Sequence, residues 1–349
     1  MSQHPRVTVL MACFNERLYL HEAVQSVLSQ SFGDFELLII DDGSTDGSTE
    51  WLSALREPRL RLVRHATNRG LTHSLTEGLE IARGRYVARM DADDVALPDR
   101  LERQVTFLEA QPAVGLLGAC ILARNAQGVE TRPELPLNDL DIRWTCLLAS
   151  PFAHPTVMFR RELFASLGLT YDERFVTAQD YDLWSRALRH VRGANLAEPL
   201  LRYRVRCGRS AQRRAEQLAN HDLIALRTIR EQFPELHVTQ EQVSAMRSTF
   251  AGGETAADVP ILHTATLYLD MLACFSRRHS GEEGMAALRR RELRRAADLV
   301  FCQPASWSWA RTTARLLSAD FGLIRRPVGH LCRSLLRGGR EKRSRKDEH

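Results

Sequence analysis

Short apolar runs and segments with helical spacing alternate along the first part of the chain. The apolar runs carry hydrophobic residues at consecutive positions, which is typical of strands buried on both faces of a sheet. The segments between them repeat hydrophobic residues three or four positions apart, which is typical of helices with one buried face. The predicted strands are Val7–Met11, Phe35–Ile40, Leu60–Val63, Tyr86–Met90 and Val114–Ala123, and the predicted helices are Leu18–Leu28, the segment around Trp51–Leu55, and Leu71–Ala82. This alternation predicts an α/β fold with a mostly parallel sheet flanked by helices.

The pattern changes near residue 211. Beyond it the chain is rich in arginine and alanine with helical spacing, and no strand pattern of comparable strength follows. We therefore predict an α/β domain over residues 1–210 and a helical C-terminal region over residues 211–349.

Composition and charge narrow the class of protein. The hydrophobic fraction of 44% and the charged fraction of 26% are ordinary for a soluble globular protein. No apolar run approaches the ~20 residues that span a bilayer, and the N-terminus has no apolar core of a signal peptide. The seven cysteines are scattered and form no CxxC pair, which argues for a reducing compartment and against a disulfide framework or a zinc site. We therefore predict a cytoplasmic protein.

Two acidic clusters follow predicted strands. Asp91, Asp93 and Asp94 come directly after Tyr86–Met90, and Asp41-Asp42 follows Ile40. Ligands in parallel sheets bind beyond the carboxyl ends of strands, so the two clusters can face one crevice. Carboxylates this close raise one another's pKa unless a cation such as Mg²⁺ or Mn²⁺ neutralises them. The alternatives are a solvated loop with a helix cap at Asp99 for the first cluster and a capped turn for the second.

Several segments appear in the order and spacing of a known family. They are VTVLMACFNE, LLIIDDGSTDGS, NRGLTHSLTEGLEIARGRYVARMDADD, PDRL, HPTVMFRR, AQDYDLWSRAL and YRVRCGRS. Taken together they resemble the family 2 glycosyltransferases of the GT-A fold, over roughly the first 210 residues. The resemblance implies a Rossmann-like catalytic domain, followed here by the helical C-terminal appendage.

The resemblance also implies a donor site that binds a nucleotide sugar, with a UDP-sugar as the expected donor. The family's Asp-Asp-Gly-Ser turn corresponds to Asp41 and Asp42, and the end of its first strand to Ala12, Asn15 and Glu16. The family's DxD motif corresponds to Asp91-Ala92-Asp93, extended here by Asp94. By this correspondence Asp91 contacts the nucleotide, and Asp93 and Asp94 hold Mn²⁺ or Mg²⁺.

The catalytic base of the family lies in a Glu-Asp motif, which is Gln179-Asp180 in this chain. The resemblance therefore implies Asp180 as the base of an inverting transfer, in which the acceptor hydroxyl loses its proton as the new bond forms. The Glu is replaced by Gln179, which removes one charge beside the base. The alternative interpretation of Asp180 is a carboxylate that caps the helix beginning with QDYDLW.

The sequence indicates the residues of the acceptor side less clearly than those of the donor side. The resemblance places the loop containing His154 there, together with Gln179 and Trp184, although a lone histidine is more often structural and a tryptophan at helical spacing is more often part of the core. Arginines at four positions in YRVRCGRS and just before it either contact the diphosphate or form a solvated basic strand: Arg202, Arg204, Arg206 and Arg209. The implied acceptor is a hydroxyl of a glycan or a lipid-linked glycan, as in cell-surface polysaccharide biosynthesis.

The tail combines basic residues with an amphipathic pattern. Its hydrophobic positions follow helical spacing at Val328, Leu331, Cys332, Leu335 and Leu336, with arginines among them. Such a helix can lie on the anionic cytoplasmic face of a membrane, which would make the protein peripheral, or it can pack on the catalytic domain. No recognition motif or stacking aromatic pattern accompanies the charge, so no nucleic-acid partner is predicted.

The sequence leaves two further classes of function open. A nucleotidyltransferase has a similar α/β sheet but is expected to carry a glycine-rich basic loop after the first strand, where this chain has MACFNERL. A nucleotide-sugar-binding protein without catalysis is supported only by the Gln179 replacement. The leading hypothesis is an inverting, metal-dependent glycosyltransferase.

Overall fold

The computed structural model describes residues 4–206, 210–251, 259–301 and 307–319. The chain divides into two compact units, Met1–Thr228 and Ile229–His349. The division falls within a helix, Ala211–Gln232, whose first residue coincides with the predicted start of the helical region. The functional boundary between residues 210 and 211 stays a prediction.

Four parallel strands form one side of the sheet in the first unit. They are β1 (Val7–Cys13), β2 (Phe35–Asp41), β3 (Leu60–Arg64) and β4 (Tyr86–Asp91), in the spatial order β3-β2-β1-β4. Every residue of β2 is buried, as a strand covered on both faces requires. Each strand contains the corresponding predicted run, so the α/β fold is confirmed.

The other side of the sheet is mixed rather than parallel. Its strands are β5 (Val95–Ala96), β6 (Val114–Arg124), β7 (Glu130–Thr131), β8 (Met158–Arg160) and β9 (Arg192–Arg204), and the sheet continues from β4 in the order β8-β6-β9-β5. The short β8 is antiparallel to both β4 and β6, whereas β6 and β9 are parallel. Only β6 was predicted among these five strands, because the others are short or polar and carry no long apolar run.

Helices cover the sheet of the first unit. They are α1 (Arg17–Leu28), α2 (Ser48–Ala54), α3 (Leu71–Ile81), α4 (Arg100–Ala110), α5 (Asp139–Thr145), α6 (Arg161–Ser166) and α7 (Gln179–Ala187), with a single 3₁₀ turn at His154–Thr156. One face of α1, with Leu20, Val24 and Val27, joins the buried core under the parallel strands. The predicted helical spacing therefore identified the core-facing side of this helix.

The described helices of the C-terminal region confirm its predicted helical character. They are α8 (Ala211–Gln232), α9 (Gln240–Ala251), α10 (Ile261–Arg278), α11 (Met285–Phe301) and α12 (Trp307–Ala319). Within the second unit, the Phe250 and Tyr268 rings stack at 3.7 Å, and the Tyr268 hydroxyl donates to Glu292 at 2.7 Å. The predicted amphipathic tail at 328–336 lies outside the described residues, so its contact with a membrane stays a prediction. Among the residues described, no helix combines the length and the apolar character needed to cross a bilayer.

The register of the parallel strands places both acidic clusters at one edge of the sheet. Ala12 of β1 lies opposite Ile40 of β2 on one side and Asp91 of β4 on the other, and Cys13 lies opposite Asp41. Since parallel strands end at the same edge, Asp41 and Asp91 flank the end of β1. The sheet thereby produces the juxtaposition on which the site depends.

A glycine in the turn after β2 provides a test of this arrangement. Gly43 has a φ of +77°, and a Cβ there would lie 2.7 Å from the backbone carbon of Thr67. We expect Gly43→Ala to lower the free energy of unfolding by about 2–4 kcal/mol, from backbone strain and overpacking together. Denaturant unfolding of the full chain measures the change.

Gly168 is the matched control. It has a φ of +63° but no atom within 4 Å of the position of its Cβ, so Gly168→Ala should cost only about 1–2 kcal/mol for the left-handed backbone. Equal losses in the two variants would contradict the close packing of the turn against the loop after β3.

Candidate active site

Three carboxylates lie together where β4 ends and the chain turns toward β5. Asp91 is the last residue of β4, and Asp93 and Asp94 precede β5, which begins at Val95. One carboxylate oxygen from each of the three residues lies within 4.8 Å of the other two. This spacing allows a single divalent cation to be shared among them.

Burial and the charges of neighbouring carboxylates disfavour ionisation of Asp93 and Asp94. Burial first, and then the Asp91 charge, raise the pKa of Asp94 to about 8, against a hydrogen bond that the backbone N–H of Arg204 donates at 2.8 Å. The same causes raise the pKa of Asp93, with Arg206 opposing them. Asp94 Oδ2 is buried and has no hydrogen-bond partner among the described residues. These features fit a bound Mn²⁺ or Mg²⁺, which takes oxygen ligands and would stabilise the ionised carboxylates.

A fourth carboxylate reaches the cluster from the end of β1. Burial raises the pKa of Glu16 against the opposing charge of Arg206, and Asp93 and Asp91 add to the increase. Arg206 bridges the two sides, because one guanidinium nitrogen donates to Glu16 and another lies 2.6 Å from Asp93 Oδ2. The fold therefore brings Glu16, which was predicted to line the nucleotide pocket, to the DxD carboxylates.

The arginines near the end of β9 have different surroundings. The guanidinium groups of Arg204 and Arg206 lie over the Tyr19 ring at 4.2 and 5.1 Å from its centroid. Arg202 instead forms a half-exposed ion pair with a glutamate at 3.5 Å, which agrees with a solvated position. Arg209 lies outside the described residues. Arg204 meets the acidic cluster through its backbone N–H, which donates to Asp94, and through its Nε, which donates to the Asp93 carbonyl, whereas the Arg206 guanidinium pairs with the Asp93 carboxylate itself.

Arg89 lies beneath the cluster and was not among the site residues predicted from the sequence. Its side chain is 3% exposed and forms an ion pair with Asp91. Its Nε and Nη1 are buried and donate to no group in the described part of the chain. A signal was present, because an arginine inside the predicted buried strand Tyr86–Met90 requires a partner for its charge.

The turn after β2 uses both of its aspartates in internal hydrogen bonds. Asp41 is fully buried and accepts from the backbone N–H of Ser44 at 3.1 Å and from the Thr49 hydroxyl. Asp42 accepts two backbone N–H groups from the loop after β3, both at 2.8 Å. These contacts agree with the capped-turn interpretation, and nucleotide binding by the two aspartates stays a prediction.

Asn15 connects the ends of β1 and β2. Its side-chain oxygen accepts from the backbone N–H of Thr45 at 2.8 Å, and its own backbone N–H donates to the Ser44 hydroxyl at 3.0 Å. Its φ of +56° lies in the left-handed region, which asparagine tolerates better than most residues. Ala12 precedes Cys13, the last residue of β1, and lies three positions before Asn15. Both residues thus lie at the sheet edge that carries the acids.

A pocket of about 520 Å³ contains residues from both predicted halves of the site. It brings Asp91 of β4 and Asp180 of α7 to one cavity, although they are far apart in the sequence. Arg213 and Gln217 of α8 also line it, and no motif in the sequence marked them. Further lining residues are Leu71, Arg89, His154, Val176, Gln179 and Tyr203.

Asp180 is held in the first turn of α7 by a strained backbone. The preceding cap residue, Ala178, has a φ of +60°, which costs an alanine about 1–2 kcal/mol. Backbone strain of this kind is common where a fold fixes a functional side chain. The carboxylate at the second helical position also favours the helix electrostatically, so capping and catalysis are compatible.

The surroundings of Asp180 set its protonation. Burial raises the pKa of Asp180, the backbone N–H of Tyr181 and the Arg89 charge oppose the increase, and the Asp91 charge adds to it. The nearby Asp182 is fully buried and ion-paired with two arginines at 2.7 Å each, one on α7 and one on α8. Of these two acids in α7, only Asp180 lines the pocket.

His154 and Trp184 have different positions. His154 lines the pocket, and its Nε2 lies 2.8 Å from the Tyr171 hydroxyl. Burial and the Arg89 charge lower the pKa of His154 well below its usual value, so the imidazole is neutral. Trp184 is fully buried and packs edge-on against Phe152 and His154, in agreement with the core interpretation. It does not reach the pocket, whereas Gln179 does.

Comparison with known proteins identifies one family. The model of the glycosyl transferase family 2 matches residues 8–168, which include the acidic cluster and end before Asp180. Putative glycosyltransferase EpsE of Bacillus subtilis is 36% identical over 214 residues, which are 59% of this chain and 74% of that protein. The amylovoran biosynthesis glycosyltransferase AmsE of Erwinia amylovora is 32% identical over 207 residues, which are 57% of this chain and 76% of that protein.

A solved structure shares the fold. The crystal structure of residues 1–349 of S. aureus TarS in complex with UDP-GlcNAc superimposes with a TM-score of 0.57 at 18% identity. The superposition covers 91% of this chain and 90% of that chain. The GT-A type of fold implied by the sequence is thereby confirmed.

The raised pKa of Asp94 generates a prediction for stability. The pKa is about 8 in the folded protein and about 4 in an unfolded chain, so the folded state retains a proton that the unfolded state loses. Stability contributed by that proton is present below about pH 4 and decreases as pH rises toward 8. With EDTA present to remove divalent cations, we expect the free energy of unfolding of Asp94→Asn to exceed that of wild type by about 1–3 kcal/mol near pH 8. The asparagine variant is more stable because it avoids ionisation in a buried site.

Thermal unfolding between pH 4.5 and 8 measures the difference. The control is Glu162→Gln, because the Glu162 side chain is 85% exposed and its loss should leave the pH profile unchanged. An Asp94→Asn advantage that stays constant or shrinks as pH rises would contradict the assigned pKa.

Proposed function

Because the chain belongs to glycosyl transferase family 2, we propose that it transfers a sugar from a nucleotide sugar, a UDP-sugar, to a hydroxyl of a glycan or lipid-linked glycan with inversion. The observation that carries the proposal is the single pocket that contains both Asp91 of the acidic cluster and Asp180. A transferase needs a donor site and a base within reach of one reacting carbon, and the proposal assigns these two roles to the acids that line this pocket.

The donor side of the proposal rests on the acids at the ends of β1, β2 and β4. Asp93 and Asp94 would hold Mn²⁺ or Mg²⁺, with Asp91 and Glu16 beside them. A bound divalent cation would offset the negative charge that accumulates on a departing diphosphate. Four nearby residues would bind the nucleotide by their position at the strand ends: Ala12, Asn15, Asp41 and Asp42.

Asp180 would act as the general base. The acceptor oxygen forms a bond to the anomeric carbon, the bond from that carbon to the diphosphate oxygen breaks, and the hydroxyl proton passes to the Asp180 carboxylate. The raised pKa of Asp180 suits this role, because a carboxylate that binds protons more tightly is a stronger base. The neutral His154 would hydrogen-bond the acceptor or the base rather than carry charge.

Two arginines support the departure of the diphosphate. Arg206 already lies against Asp93 and Glu16, and Arg89 is one of the residues that line the pocket. Guanidinium groups bind phosphate oxygens through several parallel hydrogen bonds. Both residues are therefore expected to contact anionic groups of the donor.

The acceptor would enter from the side formed by α7 and α8. Gln179 and His154 line the pocket there, as does Arg213. A glycan acceptor is supported by AmsE, whose name assigns it to amylovoran biosynthesis. A donor screen identifies the sugar and the nucleotide.

A donor screen tests the proposal directly. The full chain is incubated with a panel of nucleotide sugars and Mn²⁺ or Mg²⁺, and nucleoside diphosphate release is measured with and without a chelator. We expect release from one donor that requires the metal. Asp180→Asn should lower turnover about 10²–10⁴-fold while donor binding is retained, because the variant lacks only the base.

Two further variants separate the outcomes. Asp93→Asn should weaken metal-dependent donor binding itself, and Asp298→Asn, which changes an exposed carboxylate on α11, should leave both properties unchanged. If no nucleotide sugar binds in the presence of metal, the proposal is wrong. If Asp180→Asn retains full turnover, the protein uses a different base.

The replacement of the family's Glu by Gln179 generates a separate prediction. Gln179 is 7% exposed and lies beside Asp180, so Gln179→Glu places a second negative charge near the base. Like charges raise the pKa of a carboxylate, so the acidic limb of the pH profile of kcat/KM should move about 0.5–1 unit toward higher pH. Gln25→Glu adds the same charge at an exposed position on α1 and should not move it. A shift toward lower pH would contradict the role of Asp180.

A further inference from the structure

A second group of possible metal ligands lies at the end of β3 and on α3, apart from the aspartate cluster. One ligand atom from each of His65, His73 and Glu77 lies within 4.8 Å of the other two. His73 and Glu77 are four positions apart on α3, so their side chains project from the same face of the helix. His65 follows β3 and approaches that face from the sheet.

Both imidazoles are oriented by a carboxylate on the far ring nitrogen. His65 Nδ1 lies 2.7 Å from Asp42 Oδ1, and His73 Nδ1 lies 2.8 Å from Glu173 Oε1. Each contact leaves Nε2 directed toward Glu77. Histidines that bind metals show this same arrangement, in which a carboxylate fixes the tautomer and makes the other nitrogen a better ligand.

The distances among the three ligand atoms suit a small tetrahedral ion. His65 Nε2 lies 2.7 Å from Glu77 Oε2, and His73 Nε2 lies 3.8 Å from the same oxygen. Ligands bound tetrahedrally at about 2.0–2.1 Å lie about 3.3 Å from one another, which falls between these two values. His73 Nε2 is also buried, with no hydrogen-bond partner among the residues described. A buried nitrogen of this kind requires an explanation, and a bound ion supplies one.

We propose that His65, His73 and Glu77 form a zinc site in which the two histidine Nε2 atoms and the Glu77 carboxylate are the ligands. Two imidazoles and one carboxylate are a ligand set typical of Zn²⁺ and leave a fourth position for water. Mg²⁺ and Mn²⁺ favour oxygen ligands, so this site and the aspartate cluster select different ions. The scattered cysteines argued against a zinc site in the sequence analysis, but that argument applies only to sites with thiolate ligands.

A network of hydrogen bonds without metal is the competing explanation. Burial disfavours the imidazolium form of His65, but the contacts with Asp42 and Glu77 outweigh burial and raise its pKa. A proton on His65 could therefore neutralise these two carboxylates in place of a metal ion. Arg69 also lies 3.9 Å from Glu77 Oε2 and is half-exposed. Zinc binding would displace the proton and compete with this arginine. The side chains of Glu77 and His73 are 29% and 21% exposed, which leaves a path for an ion to enter.

The position of the site suggests what the ion would do. Asp42 belongs to the turn at the donor side, and Glu173 lies in the segment that leads to Asp180. The Thr72 hydroxyl donates to the Phe175 carbonyl at 2.9 Å and connects α3 to the same segment. A zinc ion would therefore hold the donor turn and the segment before the base in one arrangement. This consequence rests on the proposed function, whereas zinc binding itself does not.

Zinc binding by the full chain, prepared without a histidine tag, tests the site. After removal of metals by a chelator, we expect one tightly bound Zn²⁺ per chain and, with Co²⁺ as a probe, the intense visible absorption of tetrahedral nitrogen and oxygen coordination. His73→Ala and Glu77→Gln should weaken binding at least tenfold, and Glu173→Gln should weaken it about 10–100-fold through His73. Circular dichroism verifies that each variant is folded.

The control is Asp93→Asn, which alters the oxygen-ligand cluster and should retain the zinc and the cobalt spectrum. The proposal is overturned if wild type binds no zinc, if the double variant His73→Ala/Glu77→Gln binds it as tightly, or if Asp93→Asn abolishes binding. Because these measurements need no sugar transfer, a failed donor screen would leave their result intact. Zinc binding that leaves donor affinity and turnover unchanged would support the site and overturn the coupling.

Discussion

The buried charge of Arg89 is the interaction on which the rest of the site depends. Its guanidinium is paired with Asp91 inside the sheet, and its field lowers the pKa of His154 and opposes the raised pKa values of Asp94 and Asp180. Removing such a charge from water is costly unless opposite charges surround it, so the acids and the arginine require each other. Burial is the larger cause of the shifted pKa at each of these three groups, and the charge of Arg89 acts on all of them, on both sides of the pocket.

The acids near Arg89 still outnumber the cations. Asp93 and Glu16 share Arg206, and one buried oxygen of Asp94 has no partner in the described part of the chain. A fold selected only for stability would replace some of these carboxylates, because each one resists ionisation. The excess of carboxylates has a physical reason if the cationic and anionic groups of a donor complex bind among them. The stability that the fold loses by keeping these carboxylates is then required for binding the donor.

The fold and the acidic edge were largely predictable from the sequence. Consecutive apolar residues identified β1 to β4, and the acids at the ends of β2 and β4 were expected to face one crevice; the pairing of the strands then places them on either side of β1. Such strands are recognisable because burial on both faces leaves no polar position. The short β8, which makes the sheet mixed, could not be found in the same way, because it has too few residues for a period to show.

The sequence by itself determined which segments form the parallel strands, the positions of the acids at their ends and the chemical type of the expected base, whereas the spatial order of the strands came from the tertiary structure. Tertiary structure alone decided that Asp180 and Asp91 share a pocket, that Arg213 and Gln217 complete it, and that Trp184 lies in the core. It also decided that His65 meets His73 and Glu77. The physical reason is the range of the interactions. Hydrophobic periodicity is a local property of the chain, whereas burial, charge pairing and ligand geometry depend on residues that are distant in sequence and meet only after folding.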